Sequence, residues 1–189
     1  MGVKPTIRPL TPARWKDFEA LFGPNGACAG CWCQWIRLPR PEFAASRGAK
    51  AKRLMKKLVD SGEPTGLLAY QGKKAVGWAA LAPREKFRRL EKSRILKKVD
   101  ETPVWSLPCF FVAKEARGSG VTTALLKAAG AHAKKSGARM LEGYPVDTKG
   151  NRTADAFVWW GLSGAFEKAG FKAVARRSKS RPVMRRAIR

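Results

Sequence analysis

The chain has 189 residues, 44% hydrophobic and 28% charged, and its 39 Lys and Arg against 14 Asp and Glu give a net charge of +25 at pH 7. That length fits one domain, residues 1–189, long enough to bury about 70% of its unfolded surface. The sequence has no apolar run near the roughly 18 residues of a membrane helix. Its opening "MGVKPTIRPL" lacks the apolar centre of a secretory signal, so a cytoplasmic protein with reduced cysteines is expected.

Gly2 and Thr6 fit the short myristoylation pattern, but the residues that follow read as a first strand. The positive charge suits a polyanion partner such as nucleic acid or the ribosome. It is spread along the chain and is densest in 176–189, with seven basic residues and no acid. RRM, zinc-finger and basic-zipper patterns are missing, so the charge implies loose affinity rather than sequence reading.

In chain order, "TIRPL" (6–10) suits a short edge strand, because Pro9 removes a ladder donor. A helix is predicted over 11–23, with Pro12 at its start and Gly23 at its end. A Gly- and Cys-rich loop (24–33) follows. The next helix carries Ala51, Leu54, Met55, Leu58 and Val59 at helical spacing and stops at Gly62. Residues 65–82 read as a hairpin around "QGKK". The charged stretch 84–101 contains a predicted helix, "FRRLEKSRILKKV". "VWSLPCFFV" (104–112) is strand-like, and Pro108 in its middle implies a bulge or an edge. A helix over 120–136, a strand over 139–146, a short helix over 162–171 and two last strands complete an α/β mixed layer.

Within "EARGSGVTTALL" (115–126) a strand exit leads through two glycines directly into a helix. The spacing fits neither a P-loop nor a dinucleotide fingerprint, since Thr123 stands where a third glycine is needed. Backbone N–H groups and a helix N-terminus converge at such a turn, and an anion belongs there. "RGSGV" (117–121), the upstream "FFVAKEARGSG" and the downstream "FEKAGFKAV" (166–174) together resemble the GCN5-related N-acetyltransferases. The element order resembles that family along nearly the whole chain.

The resemblance implies a mixed, mostly antiparallel twisted sheet of about seven strands, helices on both faces and a splayed, bulged fourth strand. It implies acetyl-CoA as co-substrate, held by Phe111, Val112, Arg117, Gly118, Ser119, Gly120, Val121 and Thr122. The physics agrees: glycines let N–H groups reach a pyrophosphate without Cβ clashes. A strand bulged at Pro108 leaves backbone groups near Phe111 and Val112 for the pantetheine amides.

The sequence departs from the family at its usual acid. The tyrosine of Y-x-K-x-G-F is Phe166 here, and the asparagine often found seven residues earlier is Trp159. Glu142 is then a candidate base, with Glu85 or Asp147 acting through water as alternatives, and Tyr144, Cys33 or a helix dipole could quiet the leaving thiolate. His132, the single histidine, falls on the packed stripe of its helix. "CAGCWCQW" (28–35) supplies three thiols where a tetrahedral zinc site needs four ligands, and Cys109 lies far off in sequence, so no metal is expected. In the family fold this loop covers the acceptor end, which makes Trp32, Cys33, Trp35 and Trp159 candidate acceptor contacts.

The expected function is acetyl transfer to a primary amine of a small molecule or peptide, by direct attack in a ternary complex, in a monomer or homodimer. Alternatives are a CoA-binding regulatory or sensor protein with little chemistry and a basic, polyanion-associated protein. Scarce acids make a polycationic acceptor a poor match.

Overall fold

In the computed structural model of the chain, residues 4–150 and 158–188 are described. In order they form β1 (Thr6–Pro9), α1 (Trp15–Phe22), α2 (Arg40–Ala44), α3 (Ala49–Asp60), β2 (Gly66–Gln71), β3 (Lys74–Ala80), β4 (Ala82–Pro83) and α4 (Arg88–Glu91). They continue with β5 (Trp105–Leu107), β6 (Phe110–Val112), α5 (Val121–Lys134), β7 (Met140–Gly143), α6 (Ser163–Lys168), β8 (Lys172–Arg176) and β9 (Pro182–Ala187).

The strands make two sheets, ordered β1-β2-β3-β6 and β4-β5-β7-β9-β8. Among the described ladders only β5 with β7 is parallel. The nine strands become the expected seven once β3–β4 and β5–β6 are each taken as one strand interrupted in its course, the second by Pro108 and Cys109. Proline has no N–H for a ladder, so the strand breaks there and its halves pair in different sheets.

One apolar layer lies between the sheets and α1 and α3, with Trp15, Phe18, Phe22, Met55, Val59 and Trp78 at its centre. The other holds α5 and α6, through Val121, Leu125, Ala129 and Phe166. α3 follows its predicted stripe: Ala51, Met55 and Val59 are buried, each Met or Val contributing about 1.5–3 kcal/mol. α5 is turned slightly from the predicted line. Leu126, Ala129 and Ala133 are buried, while Ala124, Ala128 and His132 are only half-covered. Partial burial, then the charges of Lys135 and Arg8, pull the His132 pKa below its ordinary value.

The helix predicted within 84–101 is reduced to α4. Beyond it the carbonyls of this segment find other donors. Arg177 bonds the carbonyls of Lys97 (2.8 Å) and Lys98 (3.0 Å), and Arg84 bonds that of Leu96 (2.7 Å). Tertiary arginines thus take the place of helical N–H groups.

Candidate active site

The site starts from the alternation of one ladder. β6 runs antiparallel to β3, pairing Val112 with Gly77, Phe111 with Trp78 and Phe110 with Ala79. The amides of Ala80 and Ala113 bond the carbonyls of Cys109 and Val76. Bonded pairs alternate in such a ladder, so Phe111 directs its polar backbone groups at Trp78, while Phe110 and Val112 direct theirs away from the sheet. This corrects the expectation for Phe111: its backbone groups belong to the ladder with Trp78, and its ring packs 5.6 Å from that of Phe22. The Phe110 N–H is taken by the Trp159 carbonyl at 2.6 Å.

That side of β6 is a cleft of about 730 Å³. One wall is Phe110, Phe111 and Val112; the other includes Val146, Asp147 and Thr148. One end is the turn of Arg117, Gly118 and Gly120 with Val121, Thr122 and Thr123, and the floor includes Trp159 and Gly161. The turn needs its glycines: Gly118 has φ 75° and Gly120 φ 82°. The first intrahelical bond runs from Ala124 N–H to Gly120 O, so the amides of Val121, Thr122 and Thr123 lie at an open helix end. Arg117 Nε bonds the Val112 carbonyl at 3.2 Å and ties the turn to β6. Ser119 does not line the cleft; its hydroxyl donates to the Ala116 carbonyl at 2.7 Å. Asp147 is kept below the ordinary carboxylate range by the Lys149 amide and then by Arg176, which makes it a weak base.

The sequence matches the family described as Acetyltransferase (GNAT) family over residues 32–158, two thirds of the chain. The chain belongs to the GNAT acetyltransferase family. The GNAT fold is seen again in solved structures. An N-acetyltransferase from Staphylococcus aureus Mu50 aligns at TM-score 0.55 and 13% identity, covering 99% of this chain and 100% of that one. The Corynebacterium glutamicum structure described as histone acetyltransferase HPA2 and related acetyltransferase gives 0.54 and 19%, covering 97% and 96%. PaiA N-acetyltransferase from Thermoplasma acidophilum, in complex with coenzyme A, gives 0.53 and 15%, covering 98% and 99%. Among curated proteins, none matches the sequence.

Within this GNAT chain the two predicted catalytic residues lie outside the cleft. Glu142 is fully buried; it pairs with Arg84 at 2.9 Å and Arg185 at 2.7 Å and accepts the Tyr144 hydroxyl at 2.6 Å. Its oxygens are occupied by two guanidinium groups and a phenol away from the cleft, where no amine can reach them, which corrects its role as base. The Tyr144 hydroxyl is shared with Glu142, Ser106 and Arg84. Burial and the Glu142 charge push its pKa well up, so it stays a phenol locked in a network. The tyrosine acts on the site through packing: its ring meets Trp160 edge-on at 6.2 Å, and Trp160 stacks on Trp159 at 4.4 Å.

Of the acceptor candidates, Trp159 lines the cleft and Trp35 meets it edge-on at 5.9 Å. Arg89 sits 3.9 Å over the Trp35 ring. Trp32 and Cys33 are buried behind them, Trp32 among Phe18 and Phe22, so both belong to the core rather than to the cleft surface. Cys109, far away in sequence, comes within 3.7 Å of Cys33, which corrects its supposed isolation. Among the described residues no three His, Cys, Asp or Glu side chains stand close enough to hold a metal. Phe166 is fully buried against Phe110 and Phe171, and Gly143 has room for its ring only because it lacks a Cβ.

Thr123, Val146, Thr148 and Ser163 are cleft residues that sequence reading missed. Thr123 belongs to the glycine-turn stretch and could have been found there; Val146, Thr148 and Ser163 carry no motif and lie about the parallel bridge of Val146 with Leu162, which only the topology reveals. Part of the predicted loop at 148–155 lies outside the described residues.

Proposed function

We propose that residues 1–189 are one acetyl-CoA-dependent N-acetyltransferase domain that acetylates a primary amine of a small molecule or peptide. Acetyl-CoA is the co-substrate of its family. The observation that carries the reading is the cleft, which begins at the glycine turn and runs beside β6 to Trp159. Pyrophosphate fits the amides at the open end of α5. The pantetheine amides fit the Val112 N–H and Phe110 C=O, a strand-like contact. That length of arm brings the thioester toward Trp159 and the acceptor toward Trp35.

In this reading a neutral amine attacks the thioester carbonyl, and the tetrahedral intermediate expels the CoA thiolate. No base is assigned among Glu142 and Tyr144, so the amine proton leaves through water in the cleft. At least ten of the fourteen carboxylates are already ion-paired to Lys or Arg. A neutral or acidic amine therefore suits this surface better than a polycation. Phe166 favours a second reading, CoA binding with little transfer, since a buried phenyl ring has no proton to give.

The test is acetyl-CoA with a panel of neutral, acidic and polycationic amines, followed by free thiol and by mass of the product. One acetylated amine per thiol released is the expected result. CoA binding without release for any amine would leave the second reading in its place.

A further inference from the structure

The four cysteines grade from surface to core: Cys28 is exposed, Cys31 intermediate, and Cys33 and Cys109 buried. The last two lie 76 residues apart in sequence, yet their Sγ atoms are 3.7 Å apart. A disulfide needs about 2.05 Å between sulfurs, so closing the bond asks for a movement of about 1.7 Å. The two residues also occupy mechanically distinct places. Cys33 ends a loop in which Ala27 (φ 64°), Ala29 (φ 49°), Trp32 (φ 40°) and Cys33 (φ 54°) all adopt left-handed backbone. Such conformations persist only where packing holds them, so the loop is under strain. Cys109 sits at the seam where the strand leaves β5 in one sheet and enters β6 in the other. Its neighbour Phe110 bonds the Trp159 carbonyl at the cleft floor.

We propose that Cys33 and Cys109 are a redox switch: oxidation by a hydroperoxide closes a disulfide that ties the loop to the strand seam and arrests acetyl transfer. The effect on transfer rests on the N-acetyltransferase reading above; the bond itself does not. The chemistry balances with hydrogen peroxide as oxidant. One thiol takes an oxygen, the peroxide O–O bond breaks and water leaves. The second sulfur attacks that sulfenic acid, the S–S bond forms, and the hydroxyl departs as a second water. Two electrons pass from the sulfurs to the peroxide oxygens, and both thiol protons end in water.

Burial pushes the Cys33 thiol well above its ordinary pKa, with the Cys109 sulfur adding to the effect. Burial also pushes Cys31 up to about 11. The Cys33 thiolate is therefore scarce at neutral pH, and closure answers sustained oxidant rather than trace amounts. Cys109 adjoins Phe110, whose carbonyl is proposed to hold a pantetheine amide, so closure acts on the β6 and Trp159 part of the cleft and not on the glycine turn at its other end.

The full chain is treated with hydrogen peroxide, denatured, its thiols counted and its peptides mapped by mass. The expected outcome is a fall from four thiols to two, a Cys33–Cys109 peptide and acetyl transfer reduced at least about tenfold. Dithiothreitol should restore both thiols and activity, and Cys109→Ser should resist inactivation. Should that buried variant fail to fold, Cys33→Ala serves in its place, and the map on the unaltered chain needs neither. Four remaining thiols, a Cys28–Cys31 bond, or a folded Cys109→Ser inactivated as fast as the unaltered chain would overturn the proposal. If no amine is acetylated, the thiol count and map still decide whether the bond forms.

Discussion

Gly120 carries two demands at once. Its φ of 82° places it in left-handed space, and a Cβ there would meet nothing within 4 Å. Alanine therefore fits the volume but not the backbone, and Gly120→Ala should cost roughly 1 kcal/mol of stability. Gly120→Glu adds a carboxylate at the open end of α5, where the pyrophosphate is proposed to sit, and should abolish CoA binding in a folded protein. Thermal melting and CoA titration of both variants check this; a folded glutamate variant with unchanged CoA affinity would defeat the placement. The turn was legible because Gly-x-Gly between a strand and a helix has few other uses. Glu142 and Tyr144 were misplaced because residue type on one strand face gives only chemical capacity. It does not show that Arg84 and Arg185, 58 and 43 residues from Glu142, close over that face.

At the scale of elements, Pro108 was readable as a break, and the break decides the site by sending β5 and β6 to different sheets. The segment after α4 was unreadable for the opposite reason. Its helical composition is overridden by side-chain donors from β9 and the residues before it, which local sequence does not contain. The buried network joins that segment to β7, and its removal should register as lost stability. Glu142→Gln leaves Arg84 and Arg185 without their shared counter-charge and should cost about 3–5 kcal/mol. Tyr144→Phe deletes one shared hydroxyl and should cost about 1–3 kcal/mol. Denaturant melts measure both. A catalytic base would behave otherwise: Glu142→Gln would then melt like the unaltered chain and lose turnover.

Across the whole molecule, the excess of cations makes each carboxylate a scarce partner. Asp100 is the exposed end of the buried network, bonded to Arg185 at 2.7 Å. That hydrogen bond, joined by the Thr102 amide, lowers its pKa to about 2. The unfolded chain binds this proton near pH 3.9, so between that pH and about 2 the unfolded state holds more protons than the folded one. The contribution of Asp100 is complete above about pH 4 and is lost as pH falls through about 2. The melting difference between Asp100→Asn and the unaltered chain should shrink over that interval; a constant difference would contradict the pairing.

The same long-range donors bear on how the chain is made. Arg177 reaches Lys97 and Lys98 across 80 and 79 residues, and Arg185 reaches Asp100 across 85. Synthesis delivers these acceptors long before their donors. The carbonyls of Lys97 and Lys98 and the carboxylate of Asp100 therefore leave the ribosome in water, and they meet their donors only when Arg177 and Arg185 have emerged and β9 has laid itself beside β7.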